Sequence, residues 1–250
     1  MIVGSVAGTY NMRDLGGFEV RGGVLRPWRL VRSGELDELT EGAASALAAK
    51  GLRHIVDFRS AAERDGAPTR ATALAGLPRW QTAAGAVLGD PAPILRGCLV
   101  SAAQSRETMC GVYRRLPFEH RDAYRALFEL AAAGVPVLFH CAAGKDRTGV
   151  AAALLLDLLG AERDAIRADF TASNAAIETT TLRFLGKPGG RMTRGVAPDV
   201  WRPMMLADPL YIDTMFDAVA ARHGDVAGYA REALGFGPDF FERLRKALIQ

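Results

Sequence analysis

The apolar positions of this chain change period along its length, and that change sorts its elements. Arg53-His54-Ile55-Val56-Asp57-Phe58 and Val137-Leu138-Phe139-His140 are short apolar runs that read as buried strands. Val24-Leu25 and the stretch 28–32 lie among the Gly-rich turns Leu15-Gly16-Gly17 and Arg21-Gly22-Gly23, which predicts short strands or a hairpin. Helical spacing takes over elsewhere. Thr40 is placed to cap a helix over about 41–50, with Gly51 as its stop. Tyr124, Leu127, Phe128 and Leu130 mark a helix over 121–133, ended by Gly134-Val135-Pro136. The stretch 148–159 is apolar nearly all round and predicts a buried helix ended by Gly160, with another beginning over 162–170. Gly and Pro make 186–199 a loop, and helices follow over roughly 208–222, 225–234 and 238–248.

Strands alternating with helices through the first two-thirds predict an α/β fold, a central and mainly parallel sheet flanked by helices. At 250 residues the chain fits one domain, 1–250, with 200–250 as a helical cap on the same core. The Ala-, Gly- and Pro-rich stretch 65–110 follows neither period and reads either as a lid or insertion over the site or as a surface excursion.

Charge narrows the partners. The net charge is +3, and lysines stand only at positions 50, 145, 187 and 246, so the positive charge is scattered arginine. With no dense basic run, a nucleic-acid partner is not expected, whereas an anionic substrate is compatible. The three cysteines, Cys98, Cys110 and Cys141, are an odd set without zinc spacing, which fits free thiols in a reducing compartment. Cys98 and Cys110 read as small buried hydrophobes. The first residues lack a charged region followed by an apolar core, and the apolar stretch 150–159 contains Asp157 and is too short to span a bilayer. A cytoplasmic protein with no transmembrane segment is expected, with export by a route without a signal peptide left open.

The strongest chemical signal is the segment His140-Cys141-Ala142-Ala143-Gly144-Lys145-Asp146-Arg147-Thr148-Gly149 between the strand and the buried helix. A phosphate monoester needs a nucleophile, a cradle for three oxygens and a proton donor for the leaving oxygen. A loop wrapping into a helix N-terminus aims backbone N–H groups at one point, and Gly144 permits the tight wrap. Ala142, Ala143, Gly144, Lys145, Asp146 and Arg147 would form that cradle. Cys141 would lie at its base, where a helix N-terminus and nearby cations favour the nucleophilic thiolate. Attack would form a cysteinyl-phosphate that water then hydrolyses. The planar fork of Arg147 suits two phosphate oxygens at once. Thr148 could offer its hydroxyl to the sulfur, and His140 would orient the loop. A nucleotide-binding loop of the form Gly-x4-Gly-Lys-Ser/Thr is rejected, because Phe139 stands at the first Gly position and Asp146 follows the Lys. A Cys–His protease pair is also disfavoured, since neighbours on a strand point to opposite faces.

The loop 140–149 resembles that of the atypical protein tyrosine phosphatases of bacteria and fungi, which carry a Lys-Asp pair inside the cysteine loop and include dual-specificity enzymes that also cleave phosphoinositides. Asn11-Met12-Arg13-Asp14-Leu15-Gly16-Gly17, Leu30-Val31-Arg32-Ser33-Gly34 and Asp57-Phe58-Arg59-Ser60 with Glu63 resemble further motifs of that family. So do Arg167-Ala168-Asp169-Phe170 with Ser173-Asn174, and the segment from Tyr229 to Phe236. The resemblance implies Asp146 as general acid and base, although Lys145 and Arg147 work against the protonated form an acid needs. Asp57, at a strand's C-terminal end, is the second candidate and Asp90 the third. Asp57, Arg59 and Glu63 could equally form a structural salt-bridge cluster. Lys145 would add a cation at the loop rim, either for substrates with extra phosphates or as help for a single one. Arg13 and Asp14 would brace the loop from beneath, while turn formation suffices to explain Asn11. The expectation is a metal- and cofactor-free phosphatase acting on phosphotyrosine proteins, with phosphoserine/threonine proteins and phosphoinositides as further classes. Two alternatives stand beside it. One is a non-catalytic module of the same fold that holds phosphorylated ligands. The other is a sulfurtransferase or arsenate reductase, which would need a second thiol near Cys141.

Overall fold

The computed structural model describes residues 8–69, 71–81, 101–186 and 196–250. Its strands are β1 (Arg13–Asp14), β2 (Glu19–Val20), β3 (Gly23–Val24), β4 (Leu30–Ser33), β5 (His54–Asp57), β6 (Arg79–Gln81) and β7 (Val137–His140). Five of them form one sheet in the order β1-β4-β7-β5-β6, with β4, β7, β5 and β6 parallel and β1 antiparallel at the edge. The fold is α/β with a mainly parallel sheet, as the alternation of periods predicts. The glycine turns make a separate hairpin of β2 and β3.

Alternation along the central strands divides the core into two. Leu30, Val56, Val137 and Phe139 face one side, and Val31, Ile55 and Leu138 the other. The second side is covered by α1 (Glu41–Ala49), capped by Thr40 as expected, and by α3 (Thr72–Ala75), through Leu47 and Leu74. The first side carries the larger core. It takes up α4 (Ala102–Glu119), α5 (Arg121–Ala132), α6 (Asp146–Leu158) and α7 (Arg163–Ala172), and α10 (Pro209–His223), α11 (Val226–Glu232) and α12 (Pro238–Leu248) contribute Tyr211, Tyr229 and Phe240. Three shorter helices, α2 (Ala61–Gly66), α8 (Ile177–Leu185) and α9 (Pro198–Met205), and a 3-10 turn at Ser173–Ala176 complete the described elements.

The stretch 65–110 contains more order than its composition suggests. Its residues 79–81 form a strand of the main sheet, and 102–110 begin an 18-residue helix that buries Met109 and Cys110 in the core. These parts belong to the main sheet and to a helix packed on its larger core. The helix went unread because Gly111 and Pro117 interrupt it, yet Ser105, Met109, Val112, Tyr113 and Leu116 keep a helical period and are buried. Residues 82–100, with Asp90 and Cys98, lie outside the described residues.

The strand order has a direct consequence for function. The chain runs from β4 through α1 to β5 and later returns to insert β7 between them. Ser33, Asp57 and His140 end these three strands in register, so their loops leave the sheet side by side. A buried ionic cluster holds that edge. Asp169 on α7 pairs with Arg32 on β4 and, at 2.7 Å, with Arg13 on β1. Burial alone would raise the Asp169 carboxyl, but the charges of Arg32 and Arg13 outweigh it and hold the group below its ordinary value. Burial, and secondarily Arg13, pushes Arg32 down to about 10, against the pull of Asp169.

Asp169→Ala leaves two buried guanidinium groups uncompensated and is expected to destabilise the fold by about 3–5 kcal/mol in urea unfolding. The wild-type contribution is present above the unfolded-state Asp value of about 3.9 and is lost as pH falls through the lowered native value. The stability gap between wild type and variant should therefore narrow in acid, and a gap constant down to the lowest pH at which the protein folds would refute the assignment.

Candidate active site

The chain leaves the sheet after His140, and the cysteine loop folds back over the end of β4. Gly144 takes φ +66°, and a Cβ there would lie 2.5 Å from the backbone of Ser33 and Gly34. Only glycine allows so close an approach in that conformation. Three successive loop carbonyls are drawn outward. The Ala142 carbonyl accepts from Glu35 N (2.9 Å) and the Tyr10 hydroxyl (2.7 Å), that of Ala143 from Asn11 Nδ2 (3.1 Å), and that of Gly144 from Arg32 Nη2 (2.9 Å). In a trans peptide the C=O and the following N–H point in opposite directions. Carbonyls held outward at 142, 143 and 144 therefore aim the amides of Ala143, Gly144 and Lys145 inward, and Gly144 N donates to Cys141 Sγ at 3.2 Å. Helix α6 continues the array. Its first intrahelical bond is Gly149 N to Lys145 O (2.8 Å), so the amides of Asp146, Arg147 and Thr148 have no partner within the helix. The buried Cys141 sulfur thus lies at the floor of a ring of amides, which suits an oxyanion.

Arg147 is held from one side. Its Nη1 and Nη2 donate to Glu63 at 2.8 and 2.6 Å, and Nη1 also donates to Phe58 O at 3.0 Å. Nε is buried and without a partner among the described residues. Glu63 therefore takes the terminal edge of the fork and leaves the Nε–Nη2 edge for a second bidentate acceptor. Burial opposes the Arg147 charge, but Glu63 and the neighbouring Cys141 outweigh it and keep the guanidinium protonated. Glu63 is itself fixed by a capping box: Ser60 N donates to Glu63 Oε2 (2.7 Å) and Glu63 N to Ser60 Oγ (3.3 Å). The Ser60-x-x-Glu63 pattern was visible in sequence, but its link to Arg147 was not.

The remaining expected residues divide. Asp146 is the first residue of α6, partly exposed, and accepts from the Tyr113 hydroxyl at 2.7 Å. His140 is fully buried and pushed down to about 4 by that burial, so its ring is neutral. Its Nδ1 lies 3.3 Å from Cys141 O, close enough to orient the loop. Asp57 is buried and both its oxygens bond to Arg59 (3.0 and 2.9 Å), which makes it a buttress. Asp57 and Glu63 thus hydrogen-bond to different arginines, although the Glu63 charge also acts on Arg59.

Three expectations require correction. Thr148 does not bond to the Cys141 sulfur; its Oγ1 is buried with no hydrogen-bond partner among the described residues. Lys145 does not stand at the loop rim: its Nζ is buried and donates to Met204 O (2.6 Å) and Leu206 O (3.2 Å) at the C-terminal end of α9, where helix carbonyls favour a cation. Asp14 does not brace the loop, because its carboxylate binds the amides of Gly16 (3.0 Å) and Trp28 (2.8 Å) and shapes the N-terminal turn. Arg13 supports the loop only indirectly, through Asp169 and through Asn11 Oδ1 (2.5 Å). Asn11 does more than form a turn. At φ +55°, it joins Arg13 to the Ala143 carbonyl. Tyr10 and Glu35 also belong to the loop's support, and Arg183 on α8 ties Glu35 to Asp37 and Glu38.

Comparison with known proteins identifies the family. The sequence profile described as the tyrosine phosphatase family matches residues 4–250. A protein of Cupriavidus necator provisionally named a tyrosine-protein phosphatase is 37% identical over 236 residues, covering 90% of this chain and 81% of its own. The triple specificity protein phosphatase PtpB of Mycobacterium tuberculosis is 30% identical over the full length of both chains. A tyrosine-protein phosphatase of Nostoc commune is 32% identical over 59% of this chain and 49% of its own. With a cysteine loop of this form and a match that runs nearly end to end, the chain belongs to the tyrosine phosphatase family and is a phosphatase.

Proposed function

We propose that Cys141, Arg147 and Asp146 carry phosphate-monoester hydrolysis through a cysteinyl-phosphate, with phosphotyrosine proteins as the principal substrate. The observation that carries this reading is the free Nε–Nη2 edge of Arg147 beside the ring of inward amides over the Cys141 sulfur. A phosphoryl group there meets a nucleophile below, amides around its equatorial oxygens and a two-toothed cation at its flank. The Cys141 thiolate attacks phosphorus, the bond to the leaving oxygen breaks, and Asp146 gives that oxygen a proton. Water then attacks the phosphocysteine and Asp146 takes a proton from it, while the sulfur leaves as thiolate and inorganic phosphate departs. Arg147 and the amides stabilise the charge in both steps. Asp57 fits the acid role poorly, since Arg59 engages both of its oxygens.

Substrate breadth rests on two considerations. The name of the M. tuberculosis relative, triple specificity, supports activity on phosphoserine and phosphothreonine as well. Lys145, committed to the end of α9, is not presented to a second phosphate, so a single phosphoryl group is the determinant and phosphoinositides are taken through that same group. No described helix is long and apolar enough to cross a membrane. A cytoplasmic setting fits the free thiols Cys110 and Cys141.

Cys141→Ser is expected to abolish release of phosphate from para-nitrophenyl phosphate in the presence of chelator while retaining phosphate binding. Appreciable residual hydrolysis would remove Cys141 as nucleophile, and an inactive but folded wild type would favour the non-catalytic binding module. Arg147→Lys should lose about 3–4 kcal/mol of transition-state stabilisation in kcat/KM, the scale of one preorganised donor. Activity within a few-fold of wild type would contradict the clamp. Gly144→Ala should lose activity and phosphate affinity together, because the loop must move off Ser33 and Gly34 to admit the methyl group; unchanged phosphate affinity would contradict the backbone cradle.

A further inference from the structure

Packing explains the ring of the tyrosine that touches Asp146 but not its hydroxyl. Tyr113 lies in the middle of α4, far in sequence from the loop, and its side chain is fully buried. Its ring meets Phe170 edge-on at 5.8 Å and lies tilted against Tyr211 at 5.5 Å. A phenylalanine would make those contacts equally well. The hydroxyl is therefore the informative atom, and it donates to Asp146 Oδ1 at 2.7 Å. Burial first, and the Asp146 charge second, push the phenol well above its ordinary value, so it keeps its proton throughout the working range and can act as a permanent donor. Lys145 Nζ approaches the same oxygen, at 3.3 Å, while anchored to the Met204 and Leu206 carbonyls. One hydrogen bond and one ion-pair contact thus fall on Oδ1, and among the described residues no hydrogen bond is made to Oδ2.

We infer that Tyr113 is a positioning residue that makes the two oxygens of Asp146 unequal, reserving Oδ1 as an acceptor and leaving Oδ2 to carry the proton exchanged with the leaving group and then with water. This inference rests on the reading of Asp146 as general acid and base. A free carboxyl can carry its proton on either oxygen and rotate. The Tyr113 hydrogen bond and the Lys145 charge on the Oδ1 side disfavour a proton there, because it would point at the hydroxyl hydrogen already in place and toward a cation. They also hold the carboxyl plane, which turns proton transfer into a preorganised event. The arrangement addresses the conflict raised by cations beside an acid. Lys145 acts on the oxygen that does not carry the proton, and its charge is partly satisfied by the end of α9.

A general acid matters most when the leaving oxygen is a poor one, so the test is leaving-group dependence. The kcat/KM of wild type, Tyr113→Phe, Asp146→Asn and the double variant is measured on para-nitrophenyl phosphate and on phenyl phosphate, with inhibition by orthovanadate as a check on the cradle. Tyr113→Phe is expected to bind vanadate as wild type does, to lose about tenfold on phenyl phosphate and to lose under about threefold on para-nitrophenyl phosphate, a fraction of what proton transfer supplies. Asp146→Asn should show the same bias more strongly, and the double variant should be no worse than Asp146→Asn alone. Equal losses on both substrates in Tyr113→Phe, or none on either, would overturn the positioning role while leaving Asp146 as the acid. If Asp146→Asn itself showed no bias toward the poor leaving group, the acid reading would fall and the role of Tyr113 with it.

Discussion

Arg32 is a charge that water cannot reach, and its partners have to come from inside the fold. It stands on β4, next to the central strand, and divides its donors between Asp169 on α7 and the Gly144 carbonyl of the cysteine loop. Three elements distant in sequence are thereby held to one guanidinium. Leaving such a group unpaired would cost several kcal/mol, so the sheet edge, the loop and the helix have little freedom to separate. Arg13 extends the cluster to β1 and, through Asn11, to the Ala143 carbonyl. The cysteine loop is thus anchored by its backbone to charges on its far side.

That anchoring sets the polarity of the cradle. A peptide unit cannot turn its carbonyl outward without turning the following amide inward. Tyr10, Asn11, Arg32 and Glu35 each take a loop carbonyl, and all of them do so from the outer side of the loop. The same economy governs Arg147. Glu63 and the Phe58 carbonyl engage one side of its fork, which orients the other. Both supports depend on the parallel register that brings the ends of β4, β5 and β7 together.

The helices on the larger face connect this edge to the rest of the protein. Tyr113 on α4 and Tyr124 on α5 direct their hydroxyls to successive residues of α6, Asp146 Oδ1 and the Arg147 carbonyl, at 2.7 and 3.1 Å. Lys145 reaches the end of α9. Side chains from α4 and α5 therefore converge on the first turn of α6, and the Lys145 side chain just before it ties the loop to carbonyls at the end of α9. Burial pushes His120, at the α4–α5 junction, down to about 4, and the nearby Arg147 charge adds to that effect, so its ring is neutral.

Much of this was legible in the chain. Periodicity alone located the central strands, the buried helix after the loop and the C-terminal helices, because each must bury a stripe or a face of fixed period. The spacing of Cys141, Gly144 and Arg147 announced an anion cradle, since those residue types are needed together for local chemical reasons. The 18-residue α4 was obscured by Gly111 and Pro117, which are helix breakers by local propensity and are overridden by packing. What periodicity could not supply was partnership. Glu63 and Arg147 are 84 residues apart, Tyr113 and Asp146 are 33, and Arg32 and Asp169 are 137. Local sequence fixes which groups carry charge, while the strand order and the need to pair every buried charge decide which of them meet. Lys145 illustrates the division. Its place in the motif suggested a cation at the rim, and the packing of α9 gave its charge a different partner.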